Sequence, residues 1–203
     1  MRPSIAAVLA LAAALLAGAC APNLKDVKST LDDGATVTVA YAGQRIALLD
    51  SSIGGRFGLL PDTAVPTPYI AVGQAVRDAF RAHAPTARVD LIDPDSQAAR
   101  AAADVHVRVN VEGAYFCEGG LIRQQTCTLS MRAAVLVEDR RTGTNTALDY
   151  SVGRRSAGIP GSENWVAISL EQAQRAVPPA SLANALADRI RQDLNVRLSA
   201  AQG

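Results

Sequence analysis

Few side chains in this 203-residue sequence could carry out chemistry, and their spacing works against most of what they could do. The candidates are three cysteines, two histidines and scattered carboxylates. A structural zinc site needs four converging nitrogen or sulfur ligands. His106 and Cys117 have opposite parity on one predicted strand, roughly 36 Å apart at the usual strand rise, so they cannot share an ion. His83 falls on the apolar stripe of a predicted helix and reads as a packed core-edge residue. No metal or cofactor is therefore expected. The serines lack the Gly-x-Ser-x-Gly elbow that exposes a hydrolase nucleophile, so no catalytic serine is expected. Asp90, Asp93 and Asp95 flank a predicted strand end. They read better as turn residues accepting from local backbone amides than as paired acid-base carboxylates. The glycine-rich stretch 54–58 has neither the phosphate-loop lysine nor the dinucleotide spacing, so no nucleotide is expected.

Contact, rather than catalysis, is the second use to consider. Ile53, Phe57, Leu59 and Leu60 put four large apolar side chains among glycines, in a Gly- and Pro-rich stretch, 51–68, read as a loop. A flexible apolar loop can insert into a partner or touch lipid. The alternative is that it packs under itself as a satellite of the core. Trp165, with Val166 and Ile168, forms a second candidate patch in a loop at 157–168, again with a core alternative.

Cys20 belongs to a different chemistry. Met1 and Arg2 make a weakly basic start, and 5–16 is an unbroken apolar run. That run is about a dozen residues, the length of a secretion-signal core and short of the roughly 20 that a spanning helix needs. Ala17, Gly18, Ala19 and Cys20 close it in an order that resembles the lipobox of bacterial lipoproteins, although that motif more often has Leu where this chain has Ala17. The alternative is an ordinary secretory signal cut after Ala19. The expectation is that 1–19 is removed and Cys20 becomes an acylated first residue. Residues 20–35 lack both a period of two and a wide apolar helical face, so they read as a tether reaching roughly 50 Å when extended. An exported domain sits where disulfides persist, so Cys117 and Cys127 are expected to pair.

The elements that must position these residues follow from periodicity. Residues 36–41 alternate as a half-buried strand, 45–49 is a second short strand or its continuation, and 88–92 is another. Val72, Val76, Ala79, Phe80 and His83 share one helical face. Ser96 can cap a short helix at 97–103. From Val105 to Cys117 the odd positions are mostly apolar, while His106, Arg108, Asn110 and Glu112 take the wet parity. Cys127, Leu129, Met131, Ala133, Val135 and Val137 repeat the pattern. Setting Cys117 opposite Cys127 pairs Tyr115 with Leu129 and Val111 with Ala133. It also pairs Val109 with Val135 and Val107 with Val137, so the bridge and the hydrophobic register agree. Leu148, Tyr150 and Val152 make a third strand. Ser169 followed by Gln172 resembles a capping box, and Leu182, Leu186, Ile190, Leu194 and Leu198 recur every four residues. The expected fold is α+β: an antiparallel β-meander sheet packed on one face by two α-helices, as a single domain over 36–203.

Charge excludes some partners. The chain carries 20 basic and 19 acidic side chains, with Arg2 leaving in the leader, and has one Trp, four Tyr and three Phe. It thus has neither a basic block nor a stacking surface for nucleic acid. The Ala17–Cys20 site, the Ala103-Asp104 entry to a valine-rich strand, the meander and the closing 182–198 helix together resemble small Gram-negative outer-membrane lipoproteins. These are the YajG-like lipoproteins, the auxiliary lipoproteins of ABC-type lipid transport and, more distantly, the lipoprotein that plugs the lipopolysaccharide assembly barrel. The resemblance implies a non-enzymatic role: a lipid-anchored outer-membrane protein facing the periplasm that binds an envelope protein or lipid in support of transport or assembly. Ala21 after the cysteine fits outer-membrane delivery by the same resemblance. Two rivals are a hydrolase of envelope polymer acting through Asp90, Asp93 or Glu112, and a structural lipoprotein that fills the envelope in bulk.

Overall fold

A computed structural model describes residues 24–42, 46–50, 58–59, 70–93, 95–120, 122–163 and 166–200. In chain order the elements are α1 (Lys25–Asp32), β1 (Thr36–Ala42), β2 (Ile46–Asp50), β3 (Gly58–Leu59), α2 (Ile70–His83) and β4 (Arg88–Ile92). They continue with α3 (Gln97–Ala102), β5 (Val105–Glu118), β6 (Thr126–Asp139), β7 (Thr144–Arg155), α4 (Leu170–Ala176) and α5 (Pro179–Ala200).

The long strand β5 is the spine of a seven-stranded sheet. On one side β6 and then β7 add in antiparallel fashion, with Cys117 opposite Cys127, Tyr115 opposite Leu129 and Val107 opposite Val137. This is the register expected from the alternating valines, because any one-residue slip would turn a buried row to water. On the other side β1 and β2 run parallel to β5, end to end, with the register slipping by one residue between them. β4 adds parallel to β1, and β3 adds antiparallel to β2.

The sheet is therefore mixed, which corrects the expected all-antiparallel meander. The reason is the crossovers: α2 lies between the β1–β2 edge and β4, and α3 lies between β4 and β5, and parallel strands are joined only by such crossings, whereas β3 turns straight back on β2. The two-helix layer is as expected. α2 and α5 cover one sheet face and pack against each other, with Val72, Val76, Ala79 and Phe80 facing Leu186, Ile190 and Leu194 within one buried cluster. His83 sits at the margin of this layer, its Nε2 3.2 Å from Asn195 Oδ1. Each fully buried aliphatic side chain of this kind contributes about 1.5–3 kcal/mol relative to exposure. On the edge strands β4 and β7, helix arginines reach outward carbonyls: the Arg81 guanidinium donates to Val89 O at 2.9 Å, and Arg189 donates to Ser151 O at 2.8 Å.

Three further expectations change. The stretch 25–32, expected to be tether, is helix α1, and Leu24, Val27 and Leu31 lie in the core. Leu24, Val27 and Leu31 form only a narrow stripe, yet a narrow stripe suffices where α5 and β6 offer a ready groove. Polar anchors complete the docking: Thr30 Oγ1 donates to Asp139 Oδ2 at 2.6 Å, and the buried Lys28 pairs with Asp32. Asp139 also accepts from the Arg141 and Thr142 amides, so α1 is pinned to the β6–β7 turn. His106, expected on the wet face, is 2% exposed. Ser96 makes no capping bond; the turn before α3 is instead held by Asp93 Oδ1 accepting from the Asp95 amide at 2.9 Å.

Candidate functional site

Two opposite ends organise the molecule. One carries α1, the β6–β7 turn and the C-terminal part of α5; the other carries the β5–β6 hairpin, α4 and the 156–163 loop. Along the 14 residues of β6 they are about 40 Å apart.

The second end is built from the disulfide outward. Cys117 and Cys127 are bonded across the strand pair with their Cα atoms 4.0 Å apart, and both are fully buried. Closing that short loop is worth about 2–3 kcal/mol in the chain-entropy picture. Gly119 and Gly120 take φ of 104° and 112°, which lets the hairpin turn immediately beyond the bridge. Past the end of β7 the chain keeps hold of β6: the Ser156 amide donates to Cys127 O at 2.8 Å, and the Ile159 amide donates to Gln125 O at 2.8 Å. Gln125 is fully buried and clamps the loop. Its amide donates to Ser162 Oγ at 2.7 Å, and its Nε2 donates to Ser162 O at 3.1 Å and Val166 O at 2.6 Å. Sequence reasoning missed this residue, because a lone Gln beside a strand carries no signal until the loop folds over it.

Between that loop and α4 lies a groove of about 380 Å³, lined by Ser156, Ala157, Gly158, Ile159, Pro160, Gln172, Arg175 and Ala176. Its size is in the range of small-ligand pockets. The α4 wall is fixed at its start by the capping box, with Ser169 N donating to Gln172 Oε1 at 2.8 Å and Gln172 N donating to Ser169 Oγ at 3.2 Å. Its far end is fixed by the buried Tyr115 hydroxyl, which donates to Val177 O. Two apolar side chains at this end stand out in water, Ile122 at 88% and Val166 at 48% exposure. Ile168, grouped with Trp165 and Val166 in the sequence, is core, the alternative weighed for that patch.

The open sheet face carries polar rows. Asp90, Thr38, His106, Glu138 and Asn145 lie side by side across β4, β1, β5, β6 and β7. His106 Nδ1 is 2.9 Å from Thr38 Oγ1, while Arg100 and Arg108 both reach Glu138, at 3.1 and 3.3 Å. Burial first, then the Arg100, Arg108 and Arg140 charges, hold the His106 imidazole below its ordinary value, with Glu138 offsetting part of this. Asp104, which accepts from Arg141 and from the Thr36 amide, is held below the usual carboxylate range by those two bonds.

A third feature is the cleft between β7 and α5, about 460 Å³. Tyr150 Oη donates to Asp193 Oδ2 at 2.7 Å, and Arg197 Nε donates to the same oxygen at 2.6 Å. Burial, then Asp193, pushes the Tyr150 hydroxyl far above its ordinary value, so it is a fixed neutral donor rather than a base.

The carboxylates named for a hydrolase do not converge. Asp90 pairs with Arg88 at 2.7 Å, Asp93 serves the turn described above, and Glu112 is exposed opposite Arg132 in the register. Six residues of β5 separate Glu112 from the Asp90 row, about 20 Å. Among the described residues no group of three or more His, Cys, Asp or Glu is placed to hold a metal ion, and no helix is long and apolar enough to cross a membrane. Cys20, Ile53, Phe57, Leu60 and Trp165 lie outside the described residues; Leu59 is described only as backbone, paired with Leu49 in β3.

The sequence matches no protein family, and no curated protein matches it. Among solved structures, a minor lipoprotein from Acinetobacter baumannii is similar at 12% identity and a TM-score of 0.40, over 79% of this chain and 92% of that one. A putative neuraminyllactose-binding hemagglutinin homolog from Helicobacter pylori is similar at 10% identity and a TM-score of 0.41, over 82% and 84% of the two chains. A hypothetical protein from Chlamydia trachomatis reaches 11% identity and a TM-score of 0.36, over 81% and 98%. At these identities and scores nothing about this chain is drawn from them, and the resemblance to the YajG-like group stays one of sequence pattern.

Proposed function

We propose that this chain is a non-catalytic lipoprotein of the bacterial envelope, acylated at Cys20 and held at the outer membrane facing the periplasm, where it binds an envelope protein or lipid in support of transport or assembly. The observation that carries this reading is the cysteine arrangement: a Cys20 that closes an apolar leader, and a Cys117–Cys127 bridge sealed in the core. Such a bridge belongs to a compartment that oxidises thiols. The binding half of the reading is supported by a partly apolar groove on a disulfide-braced end, while the carboxylates that a hydrolase would use stand apart on different rows.

The test is metabolic labelling with an alkyne palmitate in a Gram-negative host, followed by membrane fractionation. Wild-type chain takes up label and sediments with outer membrane. Cys20→Ala takes up none and is found in the soluble periplasm or retained with its leader. A cytosolic wild-type product with residues 1–19 intact overturns the reading.

A further inference from the structure

We infer that the end of the molecule formed by the 119–125 hairpin, the 156–160 loop and α4 docks an extended apolar protein segment flanked by acidic residues. This deepens the proposed function and rests on Cys20 being the anchor. Three observations commit the surface to that occupant. First, its apolar features lie on segments that pack together. Ile122, at 88% exposure, precedes Gln124, whose side chain lies against Gly158 of the groove, and Gln125, which holds Val166; Ala157, Ile159 and Pro160 line the groove with Gly158. Exposed apolar groups gathered on one rigid end mark a contact site, whereas scattered ones do not.

Second, this end has spare positive charge. Glu118 is held by Arg155 and Glu171 by Arg175, whereas Arg123, next to the Gln124 that lies against Gly158, and Arg154, two residues before Ser156 of the groove, form no ion pair with another described residue. Glu163 is the carboxylate of the neighbouring loop left to set against them. The partner that complements a partly apolar groove with unpaired guanidiniums nearby is apolar in its middle and acidic at its flanks.

Third, the leash fixes which way this end points. Three residues separate Cys20 from Leu24, the first core residue among those described, and the four Cα–Cα steps between them span at most about 14 Å. Because Thr30 of α1 docks on Asp139, the core that holds the leash lies toward the pole opposite the groove, and β6 puts about 40 Å between those poles. A leash that short favours a protein segment, rather than the bilayer that would hold Cys20, as the occupant of the groove.

The experiment uses the mature acylated chain in nanodiscs and three probes. These are a fluorescein-labelled peptide with a leucine-alanine core flanked by aspartates, the same core flanked by lysines, and, for a Cys20→Ser chain, vesicles of phosphatidylethanolamine and phosphatidylglycerol. The aspartate-flanked peptide binds saturably by fluorescence anisotropy, and the lysine-flanked one binds more weakly. Ile122→Glu, the groove-filling Ala157→Trp and the Arg123→Glu/Arg154→Glu pair each weaken binding about tenfold or more. Asn145→Glu, at the opposite pole, leaves it unchanged. Ile122, Ala157, Arg123 and Arg154 are exposed, so the variants fold, and retention of the Cys117–Cys127 bridge by mass mapping checks this. Absent binding, or binding that ignores all these variants, overturns the inference, as does vesicle binding that Ile122→Glu abolishes. Palmitate labelling separates the two readings. A labelled chain that takes no peptide sinks the docking surface alone, and an unlabelled chain sinks the anchor and with it the orientation.

Discussion

His106 departs furthest from its sequence signature. Its parity on β5 assigns it to water, but the sequence does not show that Thr38 of β1 lies beside it or that Arg100, Arg108 and Glu138 close over it. The consequence is a pH dependence with a definite sign. With the folded value depressed, the unfolded chain binds more protons than the folded one between the folded value and about 6.5. Stability is therefore complete above that window and is lost as the pH falls through it. The melting temperature should drop between pH 7 and pH 5 in the wild type and much less in His106→Gln, which keeps a partner for Thr38 and does not titrate. Equal slopes in the two proteins would remove His106 as the cause. Asp104 acts in a separate and lower window: its contribution is present above the ordinary carboxylate value of 3.8 and is lost only as the pH falls through its lower folded value. The disulfide partners, by contrast, were legible, because Cys117 and Cys127 share the buried parity and their pairing sets Val107, Val109 and Val111 opposite Val137, Val135 and Ala133.

Among the elements, those carrying strong periodicity were readable and those defined by tertiary docking were not. β5, β6, β7, α2 and α5 each announce a buried face by repeating apolar positions, and the structure places them with that register and on that layer. The direction of β1 and β4 was not readable, since alternation states which face is buried but not which neighbour a strand takes. α1 was not readable either, because three apolar residues over eight positions look like noise until α5 and β6 are assembled around them. Leu31 now tests the element. Leu31→Ala should lower the unfolding free energy by about 2–5 kcal/mol in urea, as buried leucine truncations do. A tether residue would change it by less than about 0.5 kcal/mol.

At the scale of the whole molecule, periodicity located a core but not a polarity. The two poles emerge only when α1 is seen clamped to the β6–β7 turn by Thr30 and Asp139, leaving the disulfide pole at the far end of β6. The Ile53–Leu60 loop, which sequence made the first contact candidate, lies largely outside the described residues. The 157–168 loop is the one whose described part lines a groove.

Arg81 and Arg189 bear on how such molecules coexist. Outermost strands with vacant carbonyls are templates for another chain. Two of the outermost strands, β4 and β7, have a carbonyl already claimed by a guanidinium from the overlying helix, Val89 by Arg81 and Ser151 by Arg189. Crowded copies are thereby discouraged from zipping into a common sheet. Light scattering of Arg81→Ala/Arg189→Ala at rising concentration should reveal aggregation at levels where the parent stays monodisperse; matching curves would show that these caps do not restrain self-assembly.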